Sequence, residues 1–279
     1  MRRLWSKIPA FVRGPVVGIA VLLAGLQPAG LLLQMNLSQE TTIPWSLAPV
    51  AIWLYVAMKW LGGWGFPARN GLRRADLLRA GKVRPDLRGR TWMASVLLGA
   101  VIVSMSILSY GSQTFDFSQF GLITMILDAP PLMALSSIVA LGAMSGLIEE
   151  AAFRGYMQRI LEERYSPSVS IAIVAVMFAV AHPQPLVFVL VFALGASGWG
   201  IVAYLGGSIR PLIVVHALVD LISITVFYFN PELLSTLAQY DWTQSGITPT
   251  FALFIGLWAV AVVAFVWSAI RLARARTCP

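Results

Sequence analysis

Residues 186–206 read LVFVLVFALGASGWGIVAYLG, a run without one charged side chain. A helix needs roughly 20 mainly apolar residues to cross the hydrocarbon of a bilayer. This run has the required length and composition, so it is predicted to span a membrane.

Other runs of this kind lie on both sides of it, at residues 14–36, 44–64, 92–111, 131–158, 168–184, 209–229 and 250–270. The chain of 279 residues is 58% hydrophobic and 11% charged, whereas a soluble domain carries about 25% charged residues. There is too little polar surface to cover a water-facing globule of this size. The sequence therefore predicts an all-α, polytopic transmembrane helix bundle of about eight spans, forming a single membrane domain over residues 1–279.

The basic residues, which give a net charge of +8, alternate with the predicted spans. They precede the first span, crowd residues 65–90, follow the fourth span and close the chain, whereas connections 36–42, 112–131 and 230–248 have none. By the positive-inside rule, both termini are expected to be cytoplasmic. The alternation explains the charge, so we expect a lipid bilayer and no nucleic acid as partner. The predicted location is the bacterial cytoplasmic membrane.

The two ends of the chain carry no processing signal that we can identify. The apolar run after Met1–Arg13 is longer than the core of a signal peptide, so the first helix is expected to stay in the mature protein. The only cysteine, Cys278, excludes an internal disulfide and stands too near the end for a prenylation box. Residues 65–90 form the longest polar stretch, which could be an amphipathic surface segment or a solvated loop.

Charged and histidine side chains inside the spans are few, and they lie in three short runs. The runs are SGLIEEAAFRG at 145–155, FAVAH at 178–182 and HALVD at 216–220. A charge at mid-membrane costs a few kcal/mol on insertion scales, so such residues indicate function by default. His182 and His216 are the only histidines in the protein.

Helical geometry indicates how the fourth span could use its charges. Gly142, Gly146, Glu150 and Arg154 follow at intervals of four and line one face, where the glycines would let another helix approach closely. Glu150 can pair with Arg154 along that face. Glu149 lies about 100° further round an α-helix, so it is not committed to the arginine.

On the seventh span, His216 and Asp220 are one turn apart. Together with His182 and Glu149, they could converge between three helices. Each residue also has a purely structural interpretation. The glutamate–arginine pair could simply be neutral at the interface, a lone histidine could be a satisfied core residue, and Asp220 could fix the tautomer of His216.

The predicted depths of His182 and Glu149 in the membrane differ. Simple counting places His182 further from the cytoplasmic face than Glu149, unless the fourth helix projects past the bilayer to Glu163. Glu162, Glu163 and Arg164, just before Pro167, are predicted to form a solvated helix end.

The three motifs are Glu-Glu-x-x-x-Arg at 149–154, Phe-x-x-x-His at 178–182 and His-x-x-x-Asp at 216–220, in this order on apolar spans. Together they resemble the CPBP family of intramembrane proteases, the CAAX-processing and bacteriocin-processing group that is also called the abortive-infection domain. The resemblance covers roughly residues 132–229, which it predicts to be the catalytic core.

The resemblance implies an intramembrane endopeptidase that cleaves a membrane-associated protein or peptide, prenylated or not, near the cytoplasmic side. Glu149 would be the general base, with His182 helping to hold the attacking water. His216 and Asp220 would stabilise the oxyanion or bind a metal. The other motif residues would support the site or meet the substrate: Glu150, Arg154 and Phe178.

Asp220 departs from the family pattern, because many members have asparagine there. An amide can donate a hydrogen bond to an oxyanion, whereas an ionised carboxylate only accepts. This substitution leaves a metal mechanism open, in which Glu149, His182, His216 and Asp220 would bind Zn²⁺. Their spacing is unlike the local His-Glu-x-x-His signature, and a metal-free mechanism uses the same residues.

Two other classes of function fit the buried polar groups. A cation-coupled transporter could use them as a relay, with Pro183 and Pro185 marking a discontinuous helix. A non-catalytic membrane scaffold or immunity protein could have kept the fold alone. The sequence does not choose among a prenylated C-terminal peptide, a bacteriocin leader and a membrane-protein segment as substrate.

Overall fold

The computed structural model describes residues 7–39, 41–110, 121–182, 186–230, 246 and 248–277. Every regular element in these residues is a helix, which confirms the all-α class. The helices are α1 Ala10–Leu37, α2 Leu47–Leu61, α3 Gly71–Leu78, α4 Pro85–Tyr110, α5 Gly121–Leu127, α6 Pro131–Glu162, α7 Pro167–Val180, α8 Leu186–Gly206, α9 Arg210–Phe229 and α10 Pro249–Thr277. Residues 112–120 of the predicted connection 112–131, residues 231–245 of the predicted connection 230–248, the proline pair after His182, and Cys278 lie outside the described residues. The described part of the first connection contains helix α5.

A helix is present at each of the eight predicted spans. Four helices are long and apolar enough to cross a membrane by length and composition: Ala10–Leu37, Pro131–Glu162, Arg210–Phe229 and Ala252–Thr277. Three more are apolar but shorter: Leu47–Leu61, Pro167–Val180 and Phe192–Gly206. The number of spans therefore stays a prediction.

Helices α1 and α6 pack side by side in opposite directions, and small residues of α1 set how close they come. A Cβ added at Gly18 would lie 2.9 Å from Met157 Cβ, and one at Gly25 would lie 2.4 Å from Ile148 Cγ2. Residues later in α1 contact residues earlier in α6, so the pair is antiparallel. Only glycine allows this separation at these two positions.

One end of the bundle collects the basic connections, and we call it the basic end. Arg79 forms a buried ion pair with Glu162, Arg13 lies 3.7 Å from Glu163, and Arg276 donates to the carbonyl of Tyr204. The prediction that Glu162 is solvated is wrong, because its side chain is only 8% exposed and neutralises Arg79. The basic loops are thus part of the packed structure.

The polar stretch 65–90 contains α3, which packs against α6 at the basic end. Leu78 is buried and its carbonyl would lie 2.9 Å from a Cβ added at Gly155, whereas Leu72 is almost fully exposed. The segment is therefore a surface helix with one packed face and not a solvated loop.

Candidate functional site

The middle of α6, Ser145–Met157, is π-helical. In a π-helix each N–H bonds to the carbonyl five residues back, so a turn holds more residues than an α-helical turn. Successive side chains are then separated by less than the 100° of an α-helix. The separation predicted for Glu149 and Glu150 was therefore too large, and the structure places both carboxylates beside His216 of α9.

Helix α9 reaches these carboxylates because α6 presents glycine where the two helices cross. A Cβ added at Gly142 would lie 2.8 Å from the carbonyl oxygen of Ala217, and one at Gly146 would lie 2.6 Å from that of Ile213. The predicted close approach is therefore present, and α9 is the partner. It brings His216 against the side of α6 that carries the glutamates.

We expect Gly146→Ala to displace α9, because the added methyl group would meet backbone atoms that cannot move alone. Overpacking of this kind costs about 1–3 kcal/mol, and a shift of about 1 Å at a catalytic group can cost about 100-fold in rate. Thermal unfolding in detergent and peptide hydrolysis would measure the two effects. Gly256→Ala in α10 is the matched control, since a Cβ there would meet nothing within 4 Å. Equal behaviour of the two variants would contradict this account.

Glu149 lies between the two histidines. Its Oε2 atom is 4.0 Å from His182 Nε2 and 3.8 Å from His216 Nε2. The side chain is 14% exposed, and Oε2 is buried without a hydrogen-bond partner in the described part of the chain. A carboxylate oxygen and two ring nitrogens from three segments of the bundle therefore face one small volume.

His182 stands just past the end of α7, and its ring is fixed by its own backbone. The Nδ1–H group donates to the carbonyl of Phe178 at 2.7 Å, which leaves Nε2 of the neutral ring as an acceptor facing Glu149. The depth mismatch is small, because α6 runs on to Glu162 before α7 begins at Pro167. Glu149 and His182 therefore reach the same depth, with His182 Nε2 4.0 Å from Glu149 Oε2.

Glu150 and Arg154 are completely buried and hold the second histidine. Glu150 Oε1 accepts from Arg154 Nη1 at 3.0 Å and from His216 Nδ1 at 2.8 Å. Arg154 also donates to the carbonyl of Ala196 on α8. The pairing of these two charges was predicted, and their burial favours a supporting role over contact with substrate.

Aromatic rings enclose the charged groups. Phe178 lies 4.4 Å from the His182 ring and 4.4 Å from the Arg154 guanidinium, so one side chain packs on both. Trp199 of α8 stacks on His216 with an interplanar angle of 17°. Trp199 was not among the residues predicted from the sequence to form the site. A usable signal was its place among closely spaced glycines of an apolar span, where another helix can approach.

Asp220 is held by a second residue that the sequence analysis missed, Ser145. The serine hydroxyl donates to Asp220 Oδ2, which is 3.8 Å from His216 Nε2. The signal was present, because Ser145 stands four residues before Glu149 in the same polar run. The aspartate is 31% exposed, so it is more accessible than the other carboxylates of the site.

The predicted zinc ligands do not form a zinc site in this arrangement. Ligand atoms bound to tetrahedral zinc at 2.0–2.2 Å lie about 3.3–3.6 Å from one another, whereas the closest donor pairs here are 3.8–4.0 Å apart. Within the described residues, no group of three or more His, Cys, Asp or Glu side chains is arranged to hold a metal ion. The spacing instead leaves room for hydrogen bonds through one water molecule.

Residues 131–222 match a protein family described as Type II CAAX prenyl endopeptidase Rce1-like. The match covers about a third of the chain and includes all three motifs, which confirms the resemblance to the CPBP and CAAX protease group. No match to the chain was found among curated proteins or among solved structures. The long apolar helices are typical of an integral membrane protein, and the matched residues are similar to a family of peptidases.

Proposed function

We propose that this protein is an intramembrane endopeptidase that hydrolyses a peptide bond in a membrane-associated polypeptide, using a water activated by Glu149 and His182. The observation that carries the proposal is the position of Glu149 Oε2, within 4.0 Å of ring nitrogens from two other segments. A base flanked by two histidines in apolar surroundings suits water activation and oxyanion stabilisation.

The proposal includes eight spans, residues 132–229 as the catalytic core, and cytoplasmic termini in a bacterial cytoplasmic membrane. It is supported by the helices at all eight apolar runs and by the gathering of basic connections at one end of the bundle. That end would face the cytoplasm by the positive-inside rule.

In the first step, a water molecule between Glu149 Oε2 and His182 Nε2 attacks the peptide carbonyl carbon. Glu149 takes one proton from the water as the new C–O bond forms. His182 accepts a hydrogen bond from the same water, because its Nδ1–H is committed to Phe178. The fixed tautomer therefore aims the oxygen lone pair at the substrate.

In the second step, the oxyanion collapses and the C–N bond breaks. The leaving nitrogen takes the proton from Glu149, which gives a free amine and a carboxylic acid and restores the base. A protonated His216 would donate from Nε2 to the oxyanion while its Nδ1–H stays bonded to Glu150. The buried Glu150–Arg154 pair thus acts on the reaction through the orientation of His216.

The role of Asp220 is tested by exchanging its charge for an amide. We expect Asp220→Asn to retain most activity, because an amide oxygen accepts from Ser145 and its N–H₂ can donate to the oxyanion. Asp220→Ala should lower kcat/KM by about 100-fold, because it removes the polar group 3.8 Å from Nε2 of His216, the proposed donor to the oxyanion. An asparagine variant as inactive as the alanine variant would show that the negative charge itself is needed.

Three sets of quenched fluorogenic probes would test the proposed function on the full-length protein in liposomes. They are soluble octapeptides, prenylated C-terminal peptides, and designed single-span peptides with varied central residues. We expect the wild type, but not Glu149→Gln, to cleave at least one set, with the same rate in the presence of a chelator. Cleavage by neither protein, with both shown to be folded, would contradict the proposal and favour the scaffold or transporter hypotheses.

A further inference from the structure

A cavity of about 530 Å³ runs along the side of α6 from the catalytic glutamate. It lies between α1, α5 and α6, and its lining extends from Glu149 to Leu141 on α6 and from Leu26 to Gln34 on α1. Because α1 and α6 are antiparallel, Leu141 on α6 and Gln34 on α1 both lie away from the basic end. The cavity therefore joins Glu149 to the opposite half of the bundle.

Two glutamines of α1, Gln27 and Gln34, line this cavity. They are seven residues apart and so lie on one face of the helix, about 10 Å from each other along its axis. Both are exposed at the surface of the bundle, next to Leu31, which is 55% exposed. The cavity is thus open sideways, where the hydrocarbon of the membrane would be.

An amide in hydrocarbon costs about 2–7 kcal/mol when it has no hydrogen bond, depending on the reference state. Within the described residues, neither glutamine side chain has a hydrogen-bond partner in the protein. Within the described residues, the two amides on this face of α1 are therefore available to a partner that enters the cavity. Each amide offers both donors and an acceptor, as a peptide backbone does.

The occupant that fits is a polypeptide segment with exposed backbone. The separation of the two glutamines matches about three residues of an extended chain. A lipid acyl chain would leave both amides unsatisfied. A membrane-embedded segment that is locally unwound has the complementary need, because its own N–H and C=O groups lose their helical partners in hydrocarbon.

We infer that the cavity between α1, α5 and α6 receives a membrane-embedded segment of the substrate from the side, with Gln27 and Gln34 bonding its unwound backbone as it reaches Glu149. This inference rests on the proposed function and specifies its substrate class. The rest of the lining is suited to apolar side chains of such a segment: Leu26, Leu31, Leu122, Met125, Leu141 and Met144. Given the proposed topology, the segment would extend from Glu149 away from the cytoplasmic face, so that its cleaved end is the part nearest to that face.

Photocrosslinking tests the binding without requiring cleavage. A photoreactive amino acid is placed at position 34 or, as a control, at position 35 of Glu149→Gln, and the protein is reconstituted with the single-span peptide pool. Met35 is the neighbouring residue, 54% exposed, and does not line the cavity. We expect the peptide to crosslink at position 34 and to be displaced by unlabelled peptide. Equal crosslinking at both positions, or crosslinks to lipid alone at position 34, would overturn the inference.

Kinetics with the otherwise wild-type enzyme give a second readout. Gln27→Leu combined with Gln34→Leu should lower kcat/KM for single-span peptides by about 10-fold, as expected from two net hydrogen bonds, while Met35→Leu leaves it unchanged. Crosslinking at position 34 without any cleavage by the wild type would keep the binding site and refute the protease. If the double variant cleaved as well as the wild type and position 34 gave no selective crosslink, the protease would stand and the binding site would be refuted.

Discussion

Replacing Glu149 by glutamine is expected to lower kcat/KM by about 10³-fold or more while the protein stays folded. General acid–base catalysis is worth about 10²–10⁴-fold, and Glu149 serves as both base and acid in the proposed reaction. Glutamine keeps the size and polarity of the side chain but cannot accept a proton at neutral pH. Hydrolysis of whichever fluorogenic probe the wild type cleaves best would measure the loss.

The matched control is Glu163→Gln, which removes the carboxylate just after the last residue of α6, at the basic end. Glu163 pairs with Arg13 and Arg73 near the surface, where ion pairs contribute about 0–1 kcal/mol. This variant should keep wild-type activity and nearly wild-type stability. Full activity of Glu149→Gln, or inactivity of both variants, would refute the assigned role.

The second large effect is expected from Arg154→Leu, which should destabilise the protein by about 3–5 kcal/mol. The guanidinium is fully buried and faces Glu150 at 3.0 Å. Its removal leaves the buried Glu150 carboxylate with His216 as its remaining partner, and the loss of one member of a buried ionic network is costly. The temperature of unfolding in detergent would report the change.

A double variant separates pairing from burial. Glu150→Leu combined with Arg154→Met removes both charges, so we expect it to recover much of the lost stability. Activity should not return, because His216 Nδ1 loses its acceptor. Arg73→Leu, which breaks the surface ion pairs of Arg73 with Asp76 and Glu163, should change stability by no more than about 1 kcal/mol. If the double variant were as unstable as Arg154→Leu, an unpaired charge would not be the cause.

The helical class and the residues that converge at the candidate site could be predicted because a membrane protein shows both in its sequence. Apolar runs mark helices, and a charge inside such a run is too costly to be incidental. The spacing of Gly142 and Gly146 correctly predicted a close approach by another helix, although not that α9 would make it. Periodicity shows which face of a helix is packed but does not identify the neighbour.

Other features depend on tertiary contacts that leave no local pattern. The π-helical stretch Ser145–Met157 changes the relative direction of the Glu149 and Glu150 side chains. No residue pattern in this stretch predicts a π-helix. Glu162 was predicted to be solvated because a charged helix end usually is. In the structure Arg79, which directly follows α3, neutralises it. The groups that hold the site, Ser145 and Trp199, are uncharged and resemble ordinary helix residues.

The position of the counterion of Glu150 also bears on how the protein enters the membrane. The partner is Arg154, one turn away on the same helix, and not a residue of a helix that is synthesised later. Each charge at the centre of an inserting helix costs about 2.5–3.5 kcal/mol, and α6 is made before α7, α8 and α9 exist to receive it. Because the pair is formed within α6, two of the three charges in the predicted span 131–158 can be compensated while the helix is still alone in lipid. The same contact that orients His216 in the finished bundle therefore also eases the biogenesis of the helix that carries the proposed catalytic base.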